Sequence, residues 1–210
     1  MIQNIFSVPI YKIKLDLDIK RLQRFCIGHR DKHEGRIVSN NGGYQSNDLP
    51  LGDVNLCCCI ESLVKEVEIH SSQFAKSFIN EDKQNVANMW FNINQYKDNN
   101  VIHRHAGFDI SGVYYVKTPN NCGNIIFEHP AQNIFDWYYM EKPKELNTYN
   151  SETWWMPAEV NNLYLFPAWL KHSVETNKNK AEERISIAFN TYTVFRAKFR
   201  DHVKKYENIG

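Results

Sequence analysis

From residue 85 onward, the apolar positions of this chain come in short bursts. NVANMWFNINQY, ISGVYYVKT, GNIIFEH, NLYLFPAW and RISIAFNTYTVF are rich in aromatic and β-branched residues and are separated by Asn, Gly and Pro. Short runs of this kind, bounded by turn residues, predict the strands of a sandwich or barrel. The earlier part of the chain has a different texture. Residues 4–15, NIFSVPIYKIKL, alternate toward their end and predict a strand, and DIKRLQRFCIGHR predicts a short helix with Asp18 as N-cap. From Asp53 to about Asn80, apolar residues at Leu56, Ile60, Leu63, Val67, Phe74 and Phe78 keep mostly helical spacing, with HSS as the place for a break. Residues 35–50, GRIVSNNGGYQSNDLP, predict a loop. Helices first and strands afterwards give an α+β, mainly β, class in which helices buttress one sheet.

No internal repeat or low-complexity linker divides the 210 residues, so the chain is read as a single domain, 1–210. Residues 1–84 supply a strand and supporting helices, 85–193 the β core, and 194–210 an extension. Within the core, residues 131–157 interrupt the strand series and carry Trp137, Tyr138, Tyr139, Trp154 and Trp155. That segment suits a lid or binding wall and, equally, an inserted hairpin with its own small core. In the extension, Phe195, Phe199 and Val203 fall four apart with Lys and Arg between them, the pattern of a packing helix with a solvated face.

Composition narrows the function classes. Aromatic residues at 13% argue against disorder, and a net charge of +1 argues against a general nucleic-acid binder. The longest apolar runs, such as LYLFPAWL, are too short to span a bilayer, and the start of the chain lacks the features of a signal peptide. A cytoplasmic protein is expected. Five cysteines, three of them consecutive at Cys57, Cys58 and Cys59, make a poor disulfide pattern and are read as small residues on and beside a buried helix face. Nothing here excludes a homodimer.

The stretch VIHRHAGFDISGVYYV concentrates candidate chemistry. If residues 103–105 are extended, His103 and His105 point to the same side, and Asp109, past a glycine, can fold back as an oxygen ligand. Taken alone, the stretch also suits polar residues in a surface loop. The distant partner is His172, which follows a strand and a Pro 67 residues after His105. In antiparallel barrels two such strands can lie face to face, giving a pocket with three or four ligands. Neutral imidazoles with or without a carboxylate suit Fe(II), Mn, Ni or Zn and leave positions open. Arg184 begins a later strand, and Ser186 shares its face. A buried guanidinium needs an anion, either an internal acid such as Glu128 or Glu175 or a carboxylate ligand held in bidentate fashion.

The motifs NMWFNINQYKDNNVIHRHAGFDISGVYYV, GNIIFEHP, NLYLFPAWLKHSVETN and RISIAFN, in this order over about residues 85–193, resemble the Fe(II)- and 2-oxoglutarate-dependent oxygenases. The likeness is greatest to a subgroup with a His-x-His, SGVYYV and FPxWLxHSV signature, whose upstream segment SNNGGYQS also resembles. The resemblance implies a double-stranded β-helix, or jelly roll, with Fe(II) in its mouth and 2-oxoglutarate and O2 as cosubstrates. It implies His103 and His172 as metal ligands, with His105 standing where the family usually has a carboxylate. Either His105 ligates, or Asp109 ligates through a longer loop, or the carboxylate is simply absent; the histidine pair fits strand geometry best, so His105 ranks first and Asp109 second as middle ligand. Arg184 and Ser186 match the Arg-x-Ser element that grips 2-oxoglutarate, Tyr115 falls where related hydroxylases aim a tyrosine at the same carboxylate, and Asn94 and Tyr96 are expected to line the pocket. The implied reaction hydroxylates an unidentified substrate and releases succinate and CO2. Two other readings compete. A cupin-like metal enzyme or sensor would use His103, His105, Asp109 and His172 without 2-oxoglutarate and has no need of Arg184. A β-sandwich interaction module would carry the histidines incidentally.

Overall fold

The computed structural model describes residues 5–54, 56–79, 83–132 and 144–193. The expected C-terminal helix and Trp137, Tyr138 and Tyr139 of the insertion lie outside these residues. The order of elements is β1 (Tyr11–Lys14), α1 (Ile19–Arg30), β2 (Asn40–Asn41), β3 (Tyr44–Gln45), α2 (Cys58–Ala75), β4 (Gln84–Asn94), β5 (Asn99–His103), β6 (Ile110–Lys117), β7 (Ile125–Glu128), β8 (Thr153–Met156), β9 (Asn162–Pro167), β10 (His172–Val174) and β11 (Arg184–Thr193). The strands form two antiparallel sheets, a large one ordered β1-β9-β6-β11-β4-β3 and a small one ordered β2-β5-β10-β7-β8.

The period-two pattern of the long strands gives the large sheet two different faces. On one face Ile185, Ile187 and Phe189 of β11, Met89, Phe91 and Ile93 of β4, and Tyr114 and Val116 of β6 join one core with the helices. On the other, Val113 and Tyr115 of β6 and Tyr164 and Phe166 of β9 meet Ile125 and Phe127 of the small sheet. The two sheets therefore pack face to face as a jelly roll, and the helices cover only the outside of the large one.

Both predicted helices form for the expected reasons. The Asp18 side chain accepts the Arg21 N–H at 2.9 Å and caps α1, which buries Leu22 and Cys26 one turn apart. α2 buries Ile60, Leu63, Val67, Ser71 and Phe74, a single stripe. It is shorter than Asp53–Asn80, and Leu56 and Phe78 lie just beyond its ends. HSS does not break it. Instead the Ser72 hydroxyl accepts the Gln84 N–H at 2.9 Å and ties the helix to the start of β4. Of the three consecutive cysteines, Cys59 faces the core, Cys58 is exposed and Cys57 precedes the first turn.

Residues 35–50 depart from the loop expectation. They contain β2 and β3, joined through Gly42 and Gly43, both at positive φ (73° and 66°). β2 pairs with β5 in the small sheet, and β3 with β4 in the large one. The turn thus crosses from one sheet to the other, and a Cβ at Gly43 would sit 2.8 Å from the Ile93 carbonyl oxygen. The described end of the insertion is β8, which pairs with β7 and leaves Trp154 and Trp155 partly exposed.

Gly112 of β6 lies opposite Phe189, and a Cβ there would sit 2.7 Å from both a Phe189 ring carbon and the Tyr164 carbonyl oxygen. Neither the strand backbone nor a fully buried ring can step aside, so Gly112→Ala is expected to destabilise the protein by about 1–3 kcal/mol. Gly28 of α1 has open space at its Cβ position, so Gly28→Ala is expected to stabilise by about 0.5–1 kcal/mol. Urea denaturation of the two variants checks both signs.

Candidate metal centre

Pairing between β5 and β10 sets the position of two histidines. His172 lies directly opposite His103, and Val174 opposite Asn100, so β5 takes three steps where β10 takes two. The extra residue is a β-bulge at Val101 and Ile102, which face solvent while Asn100 turns inward and His103 lines the same cavity. Sequence spacing suggested strands facing each other across a barrel. The two histidines are instead side-by-side neighbours in one sheet. His105 lies past the end of β5, and its N–H donates to the Ala168 carbonyl at 2.9 Å, in the turn that leads into β10. The ligand atoms of His103, His105 and His172 all fall within 4.8 Å of one another.

Two of the rings have a fixed tautomer. Nδ1 of His103 lies 2.7 Å from the Val101 carbonyl oxygen, and Nδ1 of His172 lies 2.9 Å from that of Leu170. A carbonyl oxygen can only accept, so Nδ1 carries the proton in both and the Nε2 lone pair is left for a metal. Burial, with the neighbouring His103 adding to it, pushes the His172 pKa down to about 3. Burial and then His103 push His105 down to about 4, and burial lowers His103 itself. All three imidazoles are neutral near pH 7, the form that ligates. Asp109 is not among the mutually close ligand atoms. Its carboxylate accepts the Thr193 N–H at 2.8 Å at the end of β11, so the four-ligand arrangement of a cupin is not assembled.

At the start of β11 on the large sheet, Arg184 is fully buried. Its Nη1 donates to the carbonyl oxygens of Cys122 and Glu175, the latter at 3.1 Å. Neither internal acid proposed from the sequence neutralises it. The Glu128 carboxylate lies 3.6 Å from the Lys171 ammonium, and that of Glu175 accepts the Asn124 N–H at 2.9 Å. Nε and Nη2 of Arg184 have no partner among the described residues, and the same holds for the Tyr115 hydroxyl, both amide atoms of Asn94 and the Asn92 Oδ1. These groups are neighbours by register: Arg184 faces Asn94, and Ser186 faces Asn92 on one side and Tyr115 on the other. Burial pushes the Tyr115 phenol up, which keeps it a neutral O–H donor.

The cavity between the two sheets is lined by His103, His105, His172, Trp90, Asn92, Tyr115 and Ser186 among others. Asn92 and Trp90 were not singled out from sequence as pocket residues, although both share the alternation phase of Asn94. Tyr96 is placed elsewhere: β4 ends at Asn94, and Tyr96 is exposed, with the Lys97 and Lys180 ammonium groups over its ring. Three neutral imidazoles with in-plane lone pairs fit a divalent first-row metal, and an unpaired half of a buried guanidinium beside a phenol fits a carboxylate.

Comparisons with known proteins point to a family and a fold. Residues 88–190 match the family described as "Putative 2OG-Fe(II) oxygenase". The fold is similar to SnoN, a non-heme alpha ketoglutarate dependent epimerase from nogalamycin biosynthesis (12% identity, 89% of this chain and 79% of that one, TM-score 0.63). It is also similar to a Pseudomonas putida prolyl-4-hydroxylase (9% identity, 89% and 94% covered, TM-score 0.60). HygX from Streptomyces hygroscopicus, solved with nickel and 2-oxoglutarate bound, is similar at 8% identity, with 90% and 84% covered and a TM-score of 0.60. At such identities the likeness is one of fold. Among curated proteins, none matches the chain. No helix among the described residues is long and apolar enough to cross a membrane. The matched segment runs from the strand that carries Asn92 and Asn94, through the three histidines, to the strand that carries Arg184, and the chain belongs to the Fe(II)- and 2-oxoglutarate-dependent oxygenases.

Proposed function

We propose that this oxygenase is a hydroxylase whose metal is held by His103, His105 and His172 and whose 2-oxoglutarate is anchored by Arg184. The observation that carries the reading is a buried guanidinium with two unpartnered nitrogens, on the strand face that Ser186 shares with it and turns into the cavity of three neutral imidazoles. When bound, Fe(II) with 2-oxoglutarate and O2 supplies an oxidant for a substrate C–H bond, with succinate and CO2 as co-products. The chain itself binds and orients. Arg184 pairs with the far carboxylate of 2-oxoglutarate, Tyr115 and Ser186 donate hydroxyl hydrogen bonds to it, and the Asn92 and Asn94 amides complete the polar wall. Val113, Ile125 and Phe166 line the same cavity with apolar surface and exclude water. Asp109 holds the loop before β6 to the end of β11 rather than reaching the metal. Five free cysteines fit a reducing compartment such as the cytoplasm. Anaerobic loading followed by exposure to 18O2, with candidate peptides and small metabolites, tests the activity. Succinate release coupled to an oxygen-18 label in the product is expected, and 2-oxoglutarate that never turns over would refute it.

His172→Ala is expected to abolish Co(II) binding, measured by calorimetry. Arg184→Leu should spare Co(II) binding but weaken 2-oxoglutarate by on the order of 2–3 kcal/mol, the worth of hydrogen bonds to a charged group. The same change removes an uncompensated buried charge, so the ligand-free variant should unfold at no lower urea concentration than the parent. Unchanged 2-oxoglutarate affinity in Arg184→Leu would refute the assignment of that residue.

The buried histidines also fix a pH dependence. Unfolded histidine takes up a proton near pH 6.5, whereas folded His172 resists protonation down to about pH 3 and His105 down to about pH 4. The unfolded state therefore binds more protons as the pH falls below about 6.5, and stability of the metal-free protein drops by about 1.4 kcal/mol per pH unit for each such histidine. The loss ends once the folded pKa is passed. Chemical denaturation between pH 7.5 and 4.5 checks the slope. Co(II) affinity of the folded protein, in contrast, should persist to a lower pH than exposed histidine ligands allow, since burial lowers the pKa of all three rings. A tenfold fall per unit below pH 6.5 would mean that the rings titrate as exposed histidines do.

A further inference from the structure

The three metal-facing rings are not held alike. Backbone carbonyls fix His103 and His172 through Nδ1, but no hydrogen bond to the ring of His105 is found among the described residues. His105 also lies outside the strand, in a turn that continues through Gly107 at a φ of 86°. Such a ring is free to rotate about its side-chain bonds unless something flat lies against it. The position makes this demanding. A carboxylate offers two oxygens and several lone pairs, so it ligates over a range of orientations. An imidazole offers one lone pair in the ring plane, and tilting the ring turns it away from the metal.

Two flat surfaces are present, and one is the ring of His172, itself a metal-facing residue, with its centroid 5.2 Å away and its plane 9° from parallel. Trp90 of β4 stacks on His105 with ring centroids 5.7 Å apart and planes 27° from parallel. The indole is almost wholly buried, and its cross-strand partner is Ala188, small enough to leave it room in the cavity. It is itself held from the outer side. The Arg36 guanidinium carbon lies 5.8 Å from the indole centroid, in cation–π range, and Arg36 Nη2 donates to Asp48 Oδ1 at 2.5 Å. The other Asp48 oxygen accepts from the Asn88 amide at 3.3 Å, on the same strand as Trp90.

We propose that Trp90, locked by Arg36 and Asp48, is a positioning residue that sets the plane of His105 and so makes a histidine workable as the middle metal ligand. The inference rests on the three-histidine reading above. Its chemistry is orientation only: Trp90 touches neither metal nor cosubstrate.

The test measures anaerobic Co(II) affinity by calorimetry, and counts coordinated imidazoles from the hyperfine-shifted proton resonances of the Co(II) protein. Outer partners of ligating histidines are worth about 10–100-fold in metal affinity. Trp90→Leu, which keeps an apolar filler but no plane, is expected to weaken Co(II) by about tenfold or more and to lose the His105 resonances. Trp90→Phe should restore most of the affinity. In a His105→Ala background, Trp90→Leu should cost nothing further, a result that a merely structural role does not produce. Trp90→Met serves if Trp90→Leu does not fold and has the same expected outcome. Full Co(II) affinity with three imidazoles in Trp90→Leu, or additive losses in the double variant, would overturn the proposal. If His105→Ala itself binds Co(II) as the parent does, the ligand set is what fails.

Discussion

A guanidinium that is fully buried with two of its three nitrogens unpartnered among the described residues is the most demanding feature of this structure. In a small domain such a group costs several kcal/mol, and a fold retains it only where something else supplies the missing anion. The surroundings of Arg184 are arranged to keep it there. Carbonyl oxygens from the loops at Cys122 and Glu175 take one nitrogen, and β4 and β6 flank the strand on either side. The remaining donors, with the Tyr115 hydroxyl and the Asn92 and Asn94 amides, then make up six of the ten unpaired buried polar atoms among the described residues. That grouping is a negative image of a carboxylate.

Where the image sits relative to the metal ligands follows from the alternation of one sheet. Because β4, β6 and β11 each present one face to the helices and the other to the small sheet, Arg184, Ser186, Asn92 and Tyr115 must all look inward once Ile185, Ile187, Phe91 and Tyr114 look outward. A one-residue slip of β11 would move the whole set to the helix side. The helices, far from any chemistry, thus hold the polar wall in phase by burying its alternate residues. On the opposite sheet the bulge in β5 does the corresponding work, since in a regular strand Asn100 and His103, three residues apart, would point to opposite sides.

Much of this arrangement could be read in the sequence because strong local signals agreed with it. Arg184 and Ser186 at a spacing of two, a histidine pair before a strand, and a lone histidine after Pro167 are all patterns that a period-two backbone converts into geometry. The two helices were legible from Asp18 and from the apolar stripe of α2. What was not legible had no period to read. β2 and β3 are only two residues each, and their role depends on long-range pairing with β5 and β4. The bulge at Val101 and Ile102 appears only in the register against β10. Tyr96 shares the alternation of Asn92 and Asn94, but β4 ends before it, so alternation no longer governs its direction. Trp90 carried the same phase and was legible in principle. A tryptophan in a strand reads first as core.

On the three-histidine reading proposed above, a histidine at position 105 in place of a carboxylate changes both charge and geometry at the centre. No acidic side chain among the described residues lines the cavity, so a divalent metal held there and the buried Arg184 together carry three positive charges. 2-Oxoglutarate, a dianion, leaves the assembly with one positive charge in excess, where a carboxylate ligand would have balanced it. In a low-dielectric interior that difference strengthens the hold on the cosubstrate at both of its ends. It also removes the electrostatic attraction between metal and middle ligand, because a neutral imidazole binds only through its lone pair. Orientation must then come from packing, ring by ring: from a carbonyl for His103, from a carbonyl for His172, and for His105 from an aromatic plane on the opposite sheet. The metal centre is in this sense a product of both sheets, although all three of its histidines come from β5, β10 and the residues beside them.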